Sequence, residues 1–211
     1  MSNPKILAFA GSTRIDSYNK KLVKIAAAGA SSVGAEVTYI DLRDIPMPLF
    51  DEDLEKNEPL PNNVRKFKDL LLESQGLLIA SPEYNSSITA VLKNAIDWAS
   101  RSTGKEPRLS CFTNKVAAIM STATGGLGGL RGLVHLRSIL GNINVIVLPE
   151  QVTIPNATTA FNADGNLIEL DKQKAVENLG KNLTEIVAKL NRSIFYVWII
   201  SDRFIVIGDR R

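Results

Sequence analysis

One cysteine and one histidine in 211 residues remove much familiar chemistry before any motif is sought. A lone Cys111 excludes an internal disulfide and a thiolate metal cluster. The lone His135 leaves little room for Ser-His-Asp catalysis, and its neighbours Leu133, Val134 and Leu136 read as a helix face rather than a metal site. No apolar run approaches the roughly 20 residues that a bilayer requires. Lysine and arginine give a formal charge of only +3 and are interleaved with acids, so no basic stripe points to nucleic acid. Neither the glycine spacing of a dinucleotide fingerprint nor the Gly-Lys-Ser/Thr ending of a P-loop is present, which argues against a nucleoside triphosphate. No acid, base or nucleophile stands out. The first strand begins at Lys5, and the expectation is a cytoplasmic protein.

What is present is an alternation. Strand-like runs at Lys5–Ala10, Glu36–Leu42, Gly76–Ser81, Val116–Ser121 and Asn144–Leu148 are separated by helical stretches after Asn19 and at Asn62–Ser74, Ile88–Ser100 and Leu127–Gly141. A last helix is expected over Asp171–Leu190. With 45% hydrophobic content, the chain is expected to form one domain over residues 1–192: an α/β, doubly wound, five-stranded parallel sheet in the flavodoxin-like order 2-1-3-4-5, with helices on both faces. Ligands of such sheets bind beyond the carboxyl ends of the strands.

Three loops meet at that edge. Gly11-Ser12-Thr13-Arg14-Ile15-Asp16-Ser17-Tyr18-Asn19 joins strand one to its helix, and its hydroxyls, amide and guanidinium surround a helix N-terminus, a natural seat for phosphate. Ser12, Ser17 and Asn19 are also good helix caps, so anion binding rests on their coming together with Arg14. Ser81-Pro82-Glu83-Tyr84-Asn85-Ser86-Ser87 follows strand three, and the glycine-rich Ser121–Gly129 follows strand four, where backbone approaches a flat ligand closely.

Two segments fall outside this pattern. Ile45–Asp53, with its prolines, reads as a long loop that shapes a substrate mouth or a subunit contact, or is an ordinary surface excursion. The tail 193–211 is apolar and reads as two short strands, Ser193–Ile200 and Phe204–Ile207, joined by a polar turn; such a segment demands a cover from this chain or a second subunit.

With these loops in view, the chain resembles the NAD(P)H-dependent FMN reductases, which include quinone, chromate and azo reductases. The phosphate loop, Pro82-Glu83-Tyr84-Asn85 followed by Leu92-Lys93-Asn94-Ala95-Ile96-Asp97-Trp98, and the glycine-rich turn carry the resemblance over about residues 3–190. It implies FMN, with Ser12, Arg14, Ser17, Tyr18 and Asn19 at the phosphate. Pro82, Glu83, Tyr84 and Asn85 would then lie along the ribityl chain and one ring edge, and Ser121, Thr122, Gly125 and Gly126 along the other. Electrons would pass from NAD(P)H through the flavin to a small acceptor (quinone, azo dye, chromate or free flavin), with no side chain as catalyst and no metal. The resemblance further implies a homodimer or homotetramer. An FMN electron carrier and a flavin-less interaction protein are the competing readings. Tyr84 as a core aromatic, Glu83 as a surface helix-start acid and Trp98 as packing or a subunit contact are the plainer alternatives at their positions, and Lys93 and Arg101 either attract the phosphates of NAD(P)H or form an ion pair between subunits.

Overall fold

Ile6–Ala10 is a run without a charge, and in the structure it is buried along its whole length as the inner strand on which the fold is built. This computed structural model describes residues 3–103 and 106–205, with side chains as far as Asn191. The strands are β1 (Lys5–Ala10), β2 (Glu36–Asp41), β3 (Gly76–Ala80), β4 (Val116–Thr122) and β5 (Ile146–Ile154), and they form one parallel sheet in the order 2-1-3-4-5. The helices are α1 (Tyr18–Ser32), α2 (Glu52–Asn57), α3 (Asn62–Glu73), α4 (Ala90–Ser100), α5 (Leu130–Asn142), α6 (Ala157–Ala160) and α7 (Leu170–Ile205).

Alternate residues of each strand feed two cores. Leu7, Phe9 and Ile79 face Phe67, Leu92 and Leu136 of α3, α4 and α5. Ile6, Ala8 and Leu78 face Leu22, Val23 and Ala26 of α1 and Val176, Leu179 and Leu183 of α7. On that second face α1 and α7 touch through glycines. A Cβ at Gly29 would stand 2.2 Å from the Glu177 carbonyl oxygen, and one at Gly180 would stand 2.0 Å from that of Ala26. The two backbones meet where hydrogen is the only side chain that fits.

Three expectations are corrected. β5 does not stop at Leu148: Pro149 removes a ladder donor, but the pairing with β4 slips between Ala117 and Ile119, and the strand resumes through this irregularity to Ile154. The proline-containing loop is irregular from Ile45 to Asp51 as expected and is corrected only at its end, where Glu52 and Asp53 already belong to the short helix α2, capped by Asp51, whose carboxylate accepts the Asp53 N–H at 2.8 Å. The tail is not a pair of strands. Residues 181–207 contain neither glycine nor proline, and extending a formed helix costs far less than nucleating a strand pair, so α7 continues to Ile205; residues 206 and 207 lie outside the described residues. Among the described residues no helix is long and apolar enough to cross a membrane.

Candidate functional site

The loops after β1, β3 and β4 are fastened to one another at the carboxyl edge of the sheet. Asn19, buried on the first turn of α1, donates Nδ2–H to the Thr122 carbonyl at 2.9 Å and accepts the Thr122 N–H on Oδ1 at 3.1 Å. Ser121 donates its hydroxyl to the Ser81 carbonyl at 2.6 Å, and Thr122 donates its own to the Ile154 carbonyl at 2.8 Å. Glu83 accepts the Gly132 N–H at 3.1 Å. Thr89 caps α4 by accepting the Leu92 N–H and donates to the Gly11 carbonyl at 2.7 Å. Asn19, Ser121, Thr122 and Glu83 thus spend polar groups on the framework that sets the loop positions.

The groups left over gather at the start of α1. Ser17 is the N-cap of α1, yet its hydroxyl makes no cap hydrogen bond. Among the described residues, neither the Tyr18 nor the Asn19 N–H has a hydrogen-bond partner, as expected of first-turn donors. Ser12 is buried, and its hydroxyl oxygen accepts the Arg14 N–H at 3.3 Å, closing a tight turn ahead of the helix. Arg14 is exposed and has no carboxylate partner among the described residues; its guanidinium carbon lies 5.5 Å from the centre of the Tyr18 ring. Tyr18 stacks on Phe161 at 5.7 Å. This is a hydroxyl, a helix N-terminus and an uncommitted cation within one turn, which suits a phosphate.

Beside it, Tyr84 and Ser87 exchange backbone hydrogen bonds at 2.9 and 3.0 Å around Asn85 and Ser86, whose φ of 50° and 64° make a two-residue reverse turn. Pro82 is buried under that turn, and Tyr84 is 61% exposed, which removes the core-aromatic alternative. On the other side, Gly125 and Gly126 have open space where a Cβ would stand. Gly129, with φ of 89°, admits no side chain, because its Cβ would fall 1.8 Å from the Ser121 hydroxyl. A planar ring between an exposed tyrosine and open glycine backbone, with its phosphate on α1, fits this arrangement; so the residues present suit FMN. Bound there, FMN supplies two-electron hydride chemistry, and the protein supplies position and polarity.

The plainer readings hold elsewhere. Trp98 is fully buried, donating Nε1–H to the Pro48 carbonyl at 2.8 Å. Lys93 pairs with Asp97 at 2.8 Å and Arg101 grips Glu55 through two nitrogens at 2.7 to 3.0 Å, ion pairs within this chain rather than the expected pair between subunits. His135 is exposed, with Nδ1 2.9 Å from the Ser87 hydroxyl. Among the described residues no group of acids, histidines and cysteines is arranged to hold a metal ion. Sequence reasoning missed Thr89, which its position three residues before Leu92 marks as a helix cap. It also missed Arg43, whose Nη1 donates to the Thr13 carbonyl at 3.1 Å across thirty residues and which no local signal announces.

Known proteins are similar to this chain in sequence and in fold. The chain is 39% identical over 170 residues to an NADPH:quinone oxidoreductase of Arabidopsis thaliana, covering 78% of this chain and 82% of the relative. It is 37% identical over 166 residues to an NAD(P)H-dependent FMN reductase of Pseudomonas aeruginosa, covering 78% and 85%. The solved structure of the flavoenzyme NAD(P)H:(acceptor) oxidoreductase FerB from Paracoccus denitrificans superposes with a TM-score of 0.74 at 27% identity, covering 88% of this chain and 98% of that one. The family described as NADPH-dependent FMN reductase matches residues 4–159. That span runs from the entry of β1 into α6 and takes in the cradle, the Tyr84 turn and the glycine-rich loop together, and the chain belongs to this family of FMN-dependent oxidoreductases.

Proposed function

We propose that this protein passes two electrons from NADPH or NADH, by way of FMN held at the carboxyl edge, to a flat quinone. The unspent cradle at α1 carries this reading: a capping serine that makes no cap bond and, among the described residues, first-turn N–H groups without a partner and an arginine without an acid. Ser12, Arg14, Ser17, Tyr18 and Asn19 serve the phosphate end, with Asn19 holding the loop. Pro82, Glu83, Tyr84 and Asn85 border one edge of the ring, and Ser121, Thr122, Gly125 and Gly126 the other, where the bonds already made by Ser121 and Thr122 favour contact through backbone. The Arabidopsis relative favours a quinone acceptor; azo dyes, chromate and free flavin belong to the same proposal because an open stacking face discriminates weakly. We place the protein in the cytoplasm and assign the reductase function to residues 1–192, with 193–211 as an extension.

A homodimer, or a homotetramer built from it, is part of the same proposal: Leu127 just before α5 and Leu130 and Val134 on it are 47, 40 and 59% exposed, apolar surface that a second copy would cover.

A visible spectrum of the purified protein, taken before and after anaerobic NADPH and then NADH, tests the function. Flavin bands that bleach support it; bands that persist indicate a carrier, and no bands after added FMN overturn the flavin assignment. Removal of residues 193–211 with FMN binding and turnover retained supports the assigned boundary, and their loss overturns it.

A further inference from the structure

Arg43 stands just past β2 with its charge uncommitted. Its guanidinium makes a single hydrogen bond, to the Thr13 carbonyl at 3.1 Å, and pairs with no carboxylate among the described residues. The nearby Asp41 is occupied: one oxygen accepts the Arg43 backbone N–H at 2.9 Å, and the other pairs with the buried Lys20 at 2.6 Å. Arg43 forms the charged wall of a cleft of about 390 Å³, whose other walls include Leu42, Ile45, Met47 and Val91. That volume is within the range of small-molecule sites.

The cleft is held open by bonds unrelated to a ligand. Asn94 accepts the Phe50 N–H at 2.8 Å and donates to the Pro48 carbonyl at 2.8 Å, pinning the loop that carries Ile45 and Met47 against α4. Asn63 fixes the same loop through the Pro46 carbonyl at 2.8 Å. Thr13 lines the cleft and also belongs to the phosphate loop, so an occupant of the cleft borders the cofactor cradle.

Apolar walls with one free guanidinium suit a flat heterocycle carrying a phosphate. A phosphate monoester, close to a dianion at neutral pH, gains most from an arginine that has donors to spare. We propose that this cleft takes the adenosine 2′-phosphate end of NADPH, with Arg43 as the residue that reads the 2′-phosphate and Ile45, Met47 and Val91 as the apolar cover of the base. The inference rests on the reductase reading above, and it gives the donor preference a physical origin that the sequence left open.

The test titrates the FMN-loaded protein with 2′,5′-ADP and, separately, with 5′-AMP, which differs only in lacking the 2′-phosphate. The wild-type protein is expected to bind 2′,5′-ADP about tenfold more tightly, one charge-assisted hydrogen bond's worth. Arg43→Gln is expected to abolish that difference, and to lower the preference for NADPH over NADH in kcat/KM by about tenfold. Arg43→Lys should retain part of both, and Val91→Phe, which fills the cleft, should weaken both analogues together. Equal affinity of the wild-type protein for the two analogues, or an unchanged preference in Arg43→Gln, overturns the assignment of Arg43 and leaves the reductase reading standing. Failure of the wild-type protein to oxidise either nucleotide overturns both.

Discussion

Asn19 and Thr122 hold each other through two hydrogen bonds, the amide N–H to the carbonyl at 2.9 Å and the backbone N–H to the amide oxygen at 3.1 Å. They lie on neighbouring sides of the cofactor edge, so this pair fixes the phosphate loop relative to β4. Asn19→Ala leaves a buried donor and acceptor at Thr122 without partners and is expected to cost roughly 2 to 3 kcal/mol in denaturant unfolding. Asn19→Asp keeps the acceptor alone and should fall between. FMN affinity should drop with stability in both; a fall in affinity at unchanged stability would make Asn19 a direct ligand instead.

Arg14→Gln and Ser17→Ala are expected to weaken FMN about ten- to a hundredfold in combination, while changing riboflavin, which has no phosphate, by far less. The two flavins titrated side by side by fluorescence quenching check this. An equal loss for both would move the phosphate away from α1.

The glycine-rich loop separates two kinds of glycine. Gly129→Ala forces a Cβ to 1.8 Å from the Ser121 hydroxyl at a φ of 89°, and roughly 3 kcal/mol of destabilisation is expected as the bond to Ser81 breaks. Gly125→Ala meets nothing within 4 Å and should shift stability by no more than about 0.5 kcal/mol. Any change in its FMN affinity then reports on the ligand alone. Thermal melts of the two apo variants settle the contrast.

Much of this edge was readable because it obeys local rules. Alternating runs gave the strand order, and a serine and asparagine bracketing Tyr18 at the exit of an apolar strand marked the cradle. What stayed hidden is non-local. Whether Ser121 donates to Ser81 or to a ligand, or whether Arg43 reaches Thr13, depends on neighbouring strands rather than adjacent residues. The far end of β5 is hidden in the same way, since only the slip in pairing with β4 shows how the strand passes Pro149. The tail misled for another reason: its aromatic and β-branched residues favour strand, but the helix already running into it decides.

At the other end of the sheet, Lys115 is buried and donates to the Ser74 carbonyl, and burial pulls its pKa from 10.5 down to about 8. Between those values the unfolded chain binds the proton and the folded one does not, so the lysine's penalty is full below about pH 8 and is relieved as pH rises toward 10.5. The shift corresponds to roughly 3 kcal/mol. Stability measured from pH 7.5 to 10 should therefore climb in wild type relative to Lys115→Met, whose own curve lacks that rise. Parallel curves would remove the effect. Nearby, burial raises the Cys111 thiol pKa and the Lys115 charge opposes that rise, so the comparison with Lys115→Met also carries a change at Cys111.

The contact of Gly29 with α7 has a consequence for the order in which the molecule is completed. α1 lies well ahead of its cover along the chain: its apolar side, Leu22, Val23 and Ala26, is covered by Val176, Leu179 and Leu183 of α7. Two glycine-bearing helices that close together have no tolerance for a partial fit, so the cover arrives all at once or not at all. A nascent chain therefore carries Ser12, Arg14 and Ser17 long before α1 has a settled place to hold them, and the loop they form matures only after α7 is made.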